Sequence, residues 1–538
     1  MNKKKLVALA LASVMCIASF AGCTSKESAG GVSSLGEITT TDTYPQKTDV
    51  TLRYWMTLQG GVMQSATNFG ETELAKHLEE ATGIKVVYEH PVSGQESTAF
   101  NIMLNSKDMP DMIEWQWTTY PGGPDKAIEE GIITPLNEYF EKVSPNITKL
   151  LEENESWSMN SMTDKGYYYQ YPMFKEDSKL LTYISYFIRK DLLDKAGLPV
   201  PQTLEQWEEA LYAFRDMGIE VPLSVRINNE MLGLMGPFMG CFGIMGDFYH
   251  DGDTVKYGPY EKAFGDYIKL LNKWYNDGIL DKNFADVDSK RRSALVTNGR
   301  NGATEGSVGG DMGRWLGAIL PESGIEYVPV TVPVLKEGDT PMWTQATWDV
   351  INSTAISGDS KHKELAARFL DFGYSKEGYL LYNFGKENET FTFENVDGRQ
   401  VPTYMDWMRD PSKTGGLSFN DCASRNIRAN SGGPFVQSSD YIDQYYSNKV
   451  QKDAQSMWGS DVLKYKMPIV YLTDDEQKRY TDIITPINTY REETVAKLIS
   501  GKMPMEELDN YFAQLKKLGI EEAIEIQQAA YDRTAARK

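Results

Sequence analysis

The chain has 538 residues, with 76 Asp and Glu against 55 Lys and Arg, for a formal charge of −21. That balance excludes a phosphate-neutralising nucleic-acid binder, and it excludes adhesion to anionic lipid by charge alone, because both need clustered Lys and Arg. The length exceeds what a single hydrophobic core serves, so at least two lobes are expected.

The N-terminus opens with Lys3, Lys4 and Lys5, then an apolar run from Leu6 to Phe20, then Ala21-Gly22-Cys23 and polar Thr24 and Ser25. This reads as a secretory signal peptide over 1–22 ending in a lipobox, with Cys23 as the acylated first residue of the mature chain. The run is short of the roughly 20 apolar residues that span a bilayer. Phe20 departs from the usual Leu three places before the cysteine. The alternatives are an ordinary signal peptide with an incidental cysteine and an uncleaved anchor. Removing 1–22 takes away three lysines and no acid, so the mature charge becomes −24. A covalent lipid is therefore the expected tether, on the extracytoplasmic face of the cell membrane of a Gram-positive-type bacterium. Residues 24–47 are a Ser/Thr/Gly-rich leash that spans about 25–30 Å as a flexible chain.

Order is expected from Val50 to Trp55 as a buried strand. A helix follows over Glu71 to Thr82, with Gly83 as its stop, then a strand over Ile84 to Tyr88. A helix over Ser97 to Asn105 and a strand over Asp111 to Trp115 complete a β-α-β-α-β run, which implies a mainly parallel sheet. The pattern returns with a strand over Leu181 to Ile188 and a helix over Lys190 to Ala196. Thr203 is positioned to cap a helix through Phe214. Helices are predicted over Tyr260 to Asp277 and Arg291 to Asn298. A strand over Asn301 to Gly306 and a Gly-rich loop to Trp315 follow. A strand runs over Tyr327 to Val334, and a helix over Lys361 to Tyr374. Ser375 caps the next helix, and the tail from Asp474 to Ala535 reads as helix broken near Gly501 and Gly519.

Besides Cys23, the mature chain has only Cys241 and Cys422, which allow one disulfide without implying it; both are expected to be buried and free. His77, His90, His250 and His362 lie far apart with no ligand spacing, so neither metal nor cofactor is expected. Asp251-Gly-Asp253 and Asp286-Val-Asp288 read as turns. Aromatic residues make up 12% of the chain, with 11 Trp and 31 Tyr. An acidic, aromatic-rich extracytoplasmic protein suits neutral polyhydroxyl ligands, whose C–H faces rings can cover.

Four blocks resemble the family 1 extracellular solute-binding proteins that deliver carbohydrates to ABC importers, in particular their long Firmicutes lipoprotein branch, related to maltose-binding proteins. They are Phe100 to Ile113, Ile188 to Leu198 with Pro201 to Trp207, His362 to Tyr379, and Thr489 to Gly501 with Leu518 to Tyr531. The resemblance implies an α/β fold of the periplasmic-binding-protein-like type II class, with two hinged lobes that close on a sugar. Lobe one would comprise 48–178 plus 341–392, and lobe two 179–340 plus 393–538. It implies an oligosaccharide ligand, permease subunits as partners, a monomer and no catalytic activity. Many relatives have a calcium-loop-like insert before Glu-x-Pro-Leu; Arg215 to Leu223 lacks it and supplies too few oxygen ligands. Gly385 to Thr390 also lacks a glycine that relatives often have.

Ligand residues are sought at the carboxyl ends of strands. Trp115 and Trp117 are the leading candidates; as alternate residues they point to opposite faces of a continued strand, so one is open to a core role. Trp55 and Gln59 end the first strand, with a core tryptophan as the rival reading. Glu305 is a candidate acceptor of two sugar hydroxyls, against a capping or solvent role. Trp348 and Asp349 lie near the hinge return, against hinge packing. Trp407 and Trp315 are candidates for an opposing ring. The rivals to import are a sugar sensor docking to a membrane histidine kinase, a binder of peptide or another non-sugar solute, and a glycoside-active enzyme; no nucleophile elbow, His-Glu-x-x-His helix or dinucleotide fingerprint is present.

Overall fold

The computed structural model describes residues 44–538 except 107, 228–237, 286–288, 341, 343–347, 411, 458–463 and 538, together with the side chains of Ser185 and Asn352. The signal segment, Cys23, the leash up to residue 43 and the expected Asp286-Val-Asp288 turn lie outside the described residues. The described chain belongs to one compact unit, Thr41–Lys538.

Its strands, in chain order, are β1 (Thr51–Trp55), β2 (Lys85–Glu89), β3 (Met112–Glu114), β4 (Tyr171–Lys175), β5 (Ile184–Arg189), β6 (Val221–Ser224), β7 (Phe248–Asp251), β8 (Thr254–Tyr257), β9 (Asn301–Ser307), β10 (Tyr327–Val330), β11 (Val350–Ile356), β12 (Phe391–Val396), β13 (Arg399–Tyr404) and β14 (Val436–Gln437). Two sheets organise the two lobes: β14-β4-β11-β3-β1-β2 in the first and β10-β5-β9-β6 in the second.

The first lobe begins as the periodicity predicts. Thr72 accepts the Ala75 N–H to start the helix Glu73–Thr82, and Gly83 ends it in the left-handed region at φ 69°. Leu74 and Leu78 are its buried face, and β1 pairs in parallel with β2 and β3. In the second lobe, a full capping box between Thr203 and Gln206 starts the helix Leu204–Asp216. Only residues 217–220 separate that helix from β6. Trp207 and Trp274 meet Phe238 edge-on, each at 5.0 Å, and the C-terminal helices add Ile487, Leu498 and Leu515 to the same core.

Three features differ from the sequence expectation. The sheets are mixed rather than mainly parallel, because β11 lies antiparallel to both β3 and β4, and β5 lies antiparallel to both β10 and β9. Both β5 and β11 are the strands on which the chain enters a lobe from the other one, and so they run against their neighbours. Part of the chain after 392 pairs with the first sheet. β14 pairs in parallel with β4 of the first sheet, and the β12–β13 hairpin is fixed to the first-lobe helix Lys376–Phe384 by Tyr404 and the Asn383 carbonyl. The region expected to be a loop from Gly306 to Trp315 is a π-helical turn, Val308–Met312, continued by the helix Gly313–Ala318.

The chain crosses between the lobes from β4 to β5, from β10 to β11, and from β14 to the helix Lys449–Ser456. Gln451 of that helix donates to the Val308 carbonyl, at 2.6 Å. Tyr471 then packs in the first-lobe core beside Trp117 and Tyr169.

Candidate functional site: a cavity between the lobes

A cavity of about 250 Å³ lies where these crossings converge. Its walls come from the end of β4, the crossing residues Thr182 and Tyr183, the turn Ser307 to Gly310 after β9, and the first-lobe segment Ala429 to Tyr446. Groups from both lobes therefore face one space, where a binding site in a two-lobe α/β protein is expected.

The Ala429–Ser431 wall is held from beneath by a buried ion pair. Arg428 donates to the two Glu114 oxygens at 3.0 and 2.9 Å. Tyr54 donates to the same carboxylate at 2.9 Å. Burial opposes the Arg428 charge, but Glu114 outweighs it and raises the guanidinium pKa above its ordinary value. Gly433, at φ 141°, lies against this guanidinium: a Cβ there would stand 3.2 Å from Arg428 Nη1.

Above the pair, Asn430 donates to Asn420 Oδ1 at 3.0 Å and Ser424 Oγ at 2.8 Å. Gln437 donates to the Ala429 carbonyl at 2.5 Å. These bonds fix the two amides with Asn430 Oδ1 and Gln437 Oε1 buried without a partner, and the Thr182 hydroxyl is buried and unpaired as well. A buried polar group left unpaired costs about 1–3 kcal/mol, so two amide oxygens and a hydroxyl on residues of one cavity wall favour a ligand rich in hydroxyl groups, which both donate and accept.

Aromatic rings supply the other part of the wall. Tyr183 is 41% exposed. Tyr441 and Tyr445 stack with centroids 5.6 Å apart. Lys175 ends β4, donating through Nζ to the Leu180 carbonyl at 2.9 Å. Its burial pushes the amine pKa down to about 8, although the Asp349 charge opposes the shift. Lys179 pairs with Asp443 at 2.6 Å.

The residues expected to bind ligand are distributed differently. Trp55 and Trp117 are buried in the first-lobe core with Phe100 and Ile113; of the alternate pair, Trp117 is the core member. Trp115 is half-buried and stacks on Phe100 at 4.2 Å. Gln59 donates to Ser431 of the cavity wall, and its Oε1 is buried without a partner. Glu305 has no exposed surface. Its Oε1 accepts from Arg226 Nε at 2.9 Å and Arg292 Nη1 at 3.4 Å. Burial raises the Glu305 pKa, opposed by the two arginines. It belongs to an internal ion cluster, outside the cavity wall. Trp315 is buried beside that cluster, with Arg292 5.4 Å from its ring.

Trp348 is half-buried under Lys466, whose Nζ lies 5.7 Å from the ring. Asp349 accepts the Lys175 backbone N–H at 2.8 Å. Its side chain accepts from Ser156 at 3.3 Å, and burial raises its pKa. Trp407 donates to the Glu389 carbonyl at 2.9 Å, beside the β12–β13 hairpin. The cavity tyrosines and amides were missed in the sequence. The available signals were the run Tyr441-Ile-Asp-Gln-Tyr445-Tyr446 and the polar Asn430-Ser431 step before Gly432-Gly433. Cys241 and Cys422 are buried and unpaired.

A family model for bacterial extracellular solute-binding proteins matches residues 66–379, more than half of the chain. The chain belongs to this family. This solute-binding protein is 23% identical, over 92% of its length and 93% of the relative's, to the fructooligosaccharide ABC transporter substrate-binding protein FusA of Streptococcus pneumoniae. It is 23% identical to lipoprotein LipO of Bacillus subtilis over 56% of its length and 55% of that protein's. Among solved structures, the alginate-binding protein AlgQ2 without calcium ion superposes with a TM-score of 0.69 at 23% identity, covering 91% of this chain and 100% of that one. The superposition establishes the two-lobe fold.

Proposed function

We propose that this solute-binding protein captures an oligosaccharide in the interlobe cavity and presents it, unaltered, to the permease of an ABC importer. The observation that carries the reading is the combination of tyrosine rings with residues that carry unpaired buried oxygens, lining one space between two lobes. Sugar C–H faces suit the first, and hydroxyl groups satisfy the second. The similarity to FusA, a fructooligosaccharide substrate-binding protein, and to AlgQ2, an alginate-binding protein, supports it. Within this reading, Tyr183 and Tyr445 cover sugar faces, Asn430 and Gln437 accept hydroxyls, and half-buried Trp115 with Gln59 makes outer contacts. Closing of the lobes on the ligand follows from higher affinity of the closed state.

Cys23 is the proposed lipid attachment point, holding a monomer to the outer face of the membrane by the leash. LipO, described as a lipoprotein, supports that part. Calorimetry and tryptophan fluorescence with a glycan panel test the reading. A saccharide that binds and is recovered intact supports it. No heat and no fluorescence change across neutral and acidic glycans, with binding of a peptide instead, overturns it.

A further inference from the structure

We propose that Asp164 fixes the angle between the two lobes by holding the end of the C-terminal helix, as a tie placed outside the ligand cavity. The inference stands whatever solute the cavity takes.

Two helices of the second lobe each rest one end on the first. The helix Asp474–Ile499 gives Ile487 and Leu498 to the second-lobe core, and the helix Ile520–Ala535 gives Ile520 and Ala523. Gln528 of the last helix also holds the β7–β8 hairpin, accepting from the Val255 N–H at 2.7 Å and donating to the Asp253 carbonyl at 2.9 Å. Just past the end of this helix, the Arg537 N–H still donates to the Thr534 carbonyl at 3.2 Å. There the side chains reach the other lobe. Arg537 Nε donates to Asp164 Oδ1 at 2.8 Å, and Arg533 Nε lies 3.6 Å from Asp164 Oδ2. Asp164 stands between the first-lobe helix Glu155–Asn160 and β4. Its turn is fixed there by Asn137, which donates to the Gly166 carbonyl at 2.9 Å and accepts from the Tyr168 N–H at 3.1 Å.

Further contacts close the tie into a network. Arg533 donates to the two Glu476 oxygens at 2.9 and 2.6 Å, which joins the start of one helix to the end of the other. Arg537 lies 4.8 Å from the Tyr471 ring, and the Tyr471 and Tyr169 hydroxyls meet at 3.0 Å inside the first lobe. Lys126, of the first-lobe helix Gly123–Glu129, stands 3.3 Å from Asp474.

The Arg537 side chain is 5% exposed and that of Asp164 is 18% exposed, so salt screens the pair little. Removing the carboxylate leaves a nearly buried guanidinium without its counter-charge, which is strongly unfavourable. The chain relieves that by moving the helix end off the first lobe into water, and the angle between the lobes changes with it. None of Asp164, Tyr471, Arg533 and Arg537 lines the interlobe cavity.

The test is double electron–electron resonance between the lobes, on the full chain carrying Cys23→Ser in every sample. Spin labels go to Lys149→Cys in the first lobe and Lys195→Cys in the second, side chains 72% and 68% exposed. Cys241 and Cys422 are buried and stay unlabelled. Asp164→Asn should move about a tenth or more of the molecules to a distance that the parent does not populate, the scale of a detectable minor state. Arg537→Gln should do the same, and it serves as the second variant should Asp164→Asn fail to fold. Arg479→Gln removes the ion pair with Glu522, which joins two second-lobe helices, and should leave the parent distances unchanged. Parent-like distances in the Asp164 and Arg537 variants, or an equal change in Arg479→Gln, overturns the inference.

Discussion

Gly309 lies so close to the ring of Tyr445 that a Cβ added at Gly309 would stand 2.5 Å from Tyr445 Cε1. The two residues come from opposite lobes and both line the cavity, so the glycine permits an approach that any side chain would prevent. Gly309→Ala should hold the lobes apart and weaken ligand binding by about tenfold, roughly 1.4 kcal/mol. In the Tyr445→Ala background the same substitution should cost little. Calorimetry on the two single variants and the double variant measures the coupling.

The pair between Arg428 and Glu114 predicts an asymmetric mutational response. Arg428→Met leaves the largely buried Glu114 carboxylate with only the Tyr54 hydroxyl and should cost about 3 kcal/mol of stability, whereas adding Glu114→Leu should restore part of the loss. Denaturant unfolding of the three variants reads this directly.

Lys175 sets a pH dependence of stability. Its ordinary pKa is 10.5 and its pKa in the fold is about 8. Between these values the unfolded chain binds more protons than the folded one, so unfolding free energy rises with pH across that window. The contribution is on the order of 3 kcal/mol. The difference between the parent protein and Lys175→Met in urea unfolding should grow in the parent's favour from pH 8 to pH 10; a difference that stays constant contradicts the assignment.

Tyr183→Ala should weaken saccharide binding by about tenfold or more, the scale expected for a desolvated aromatic contact. Trp115→Ala, at the proposed outer contact, should produce a loss of similar size; unchanged binding removes Trp115 from the contact set. Trp117→Ala, which empties a core position, should lower stability instead, by about 3–5 kcal/mol in denaturant unfolding.

Cys23→Ser should release the protein from cells into the medium, while leaving its fold unchanged. Fractionation with an antibody to the chain separates this from anchoring by an uncleaved apolar segment, which the substitution would not disturb.

The first lobe was readable because its local signals agree: Thr72 and Gly83 bracket a helix whose Leu74 and Leu78 face the sheet. The site was harder to read for a physical reason. Its walls are contributed by segments from Met173 to Tyr446, and the strand that brings the last of them into the first sheet, β14, has two residues. Tryptophans drew attention in the sequence, but Trp55 and Trp117 are large apolar rings that serve the core. The sequence pattern ends this strand at Gly306, next to Glu305. β9 continues to Ser307, which reaches the cavity, while Glu305 stays inside with Arg226 and Arg292.

Cys241 lies in the second lobe, donating to the Pro333 carbonyl at 3.1 Å, and Cys422 lies in the helix Phe419–Asn426 of the first. Burial pushes the Cys241 thiol up to about 12 and raises that of Cys422 as well. Among the described residues, each half of the molecule thus encloses one thiol in its protonated, unreactive form. Air and peroxide outside the cell find neither of these two sulfurs as a thiolate while the halves stay folded, and an alkylating reagent would register the melting of each half separately, without any engineered label.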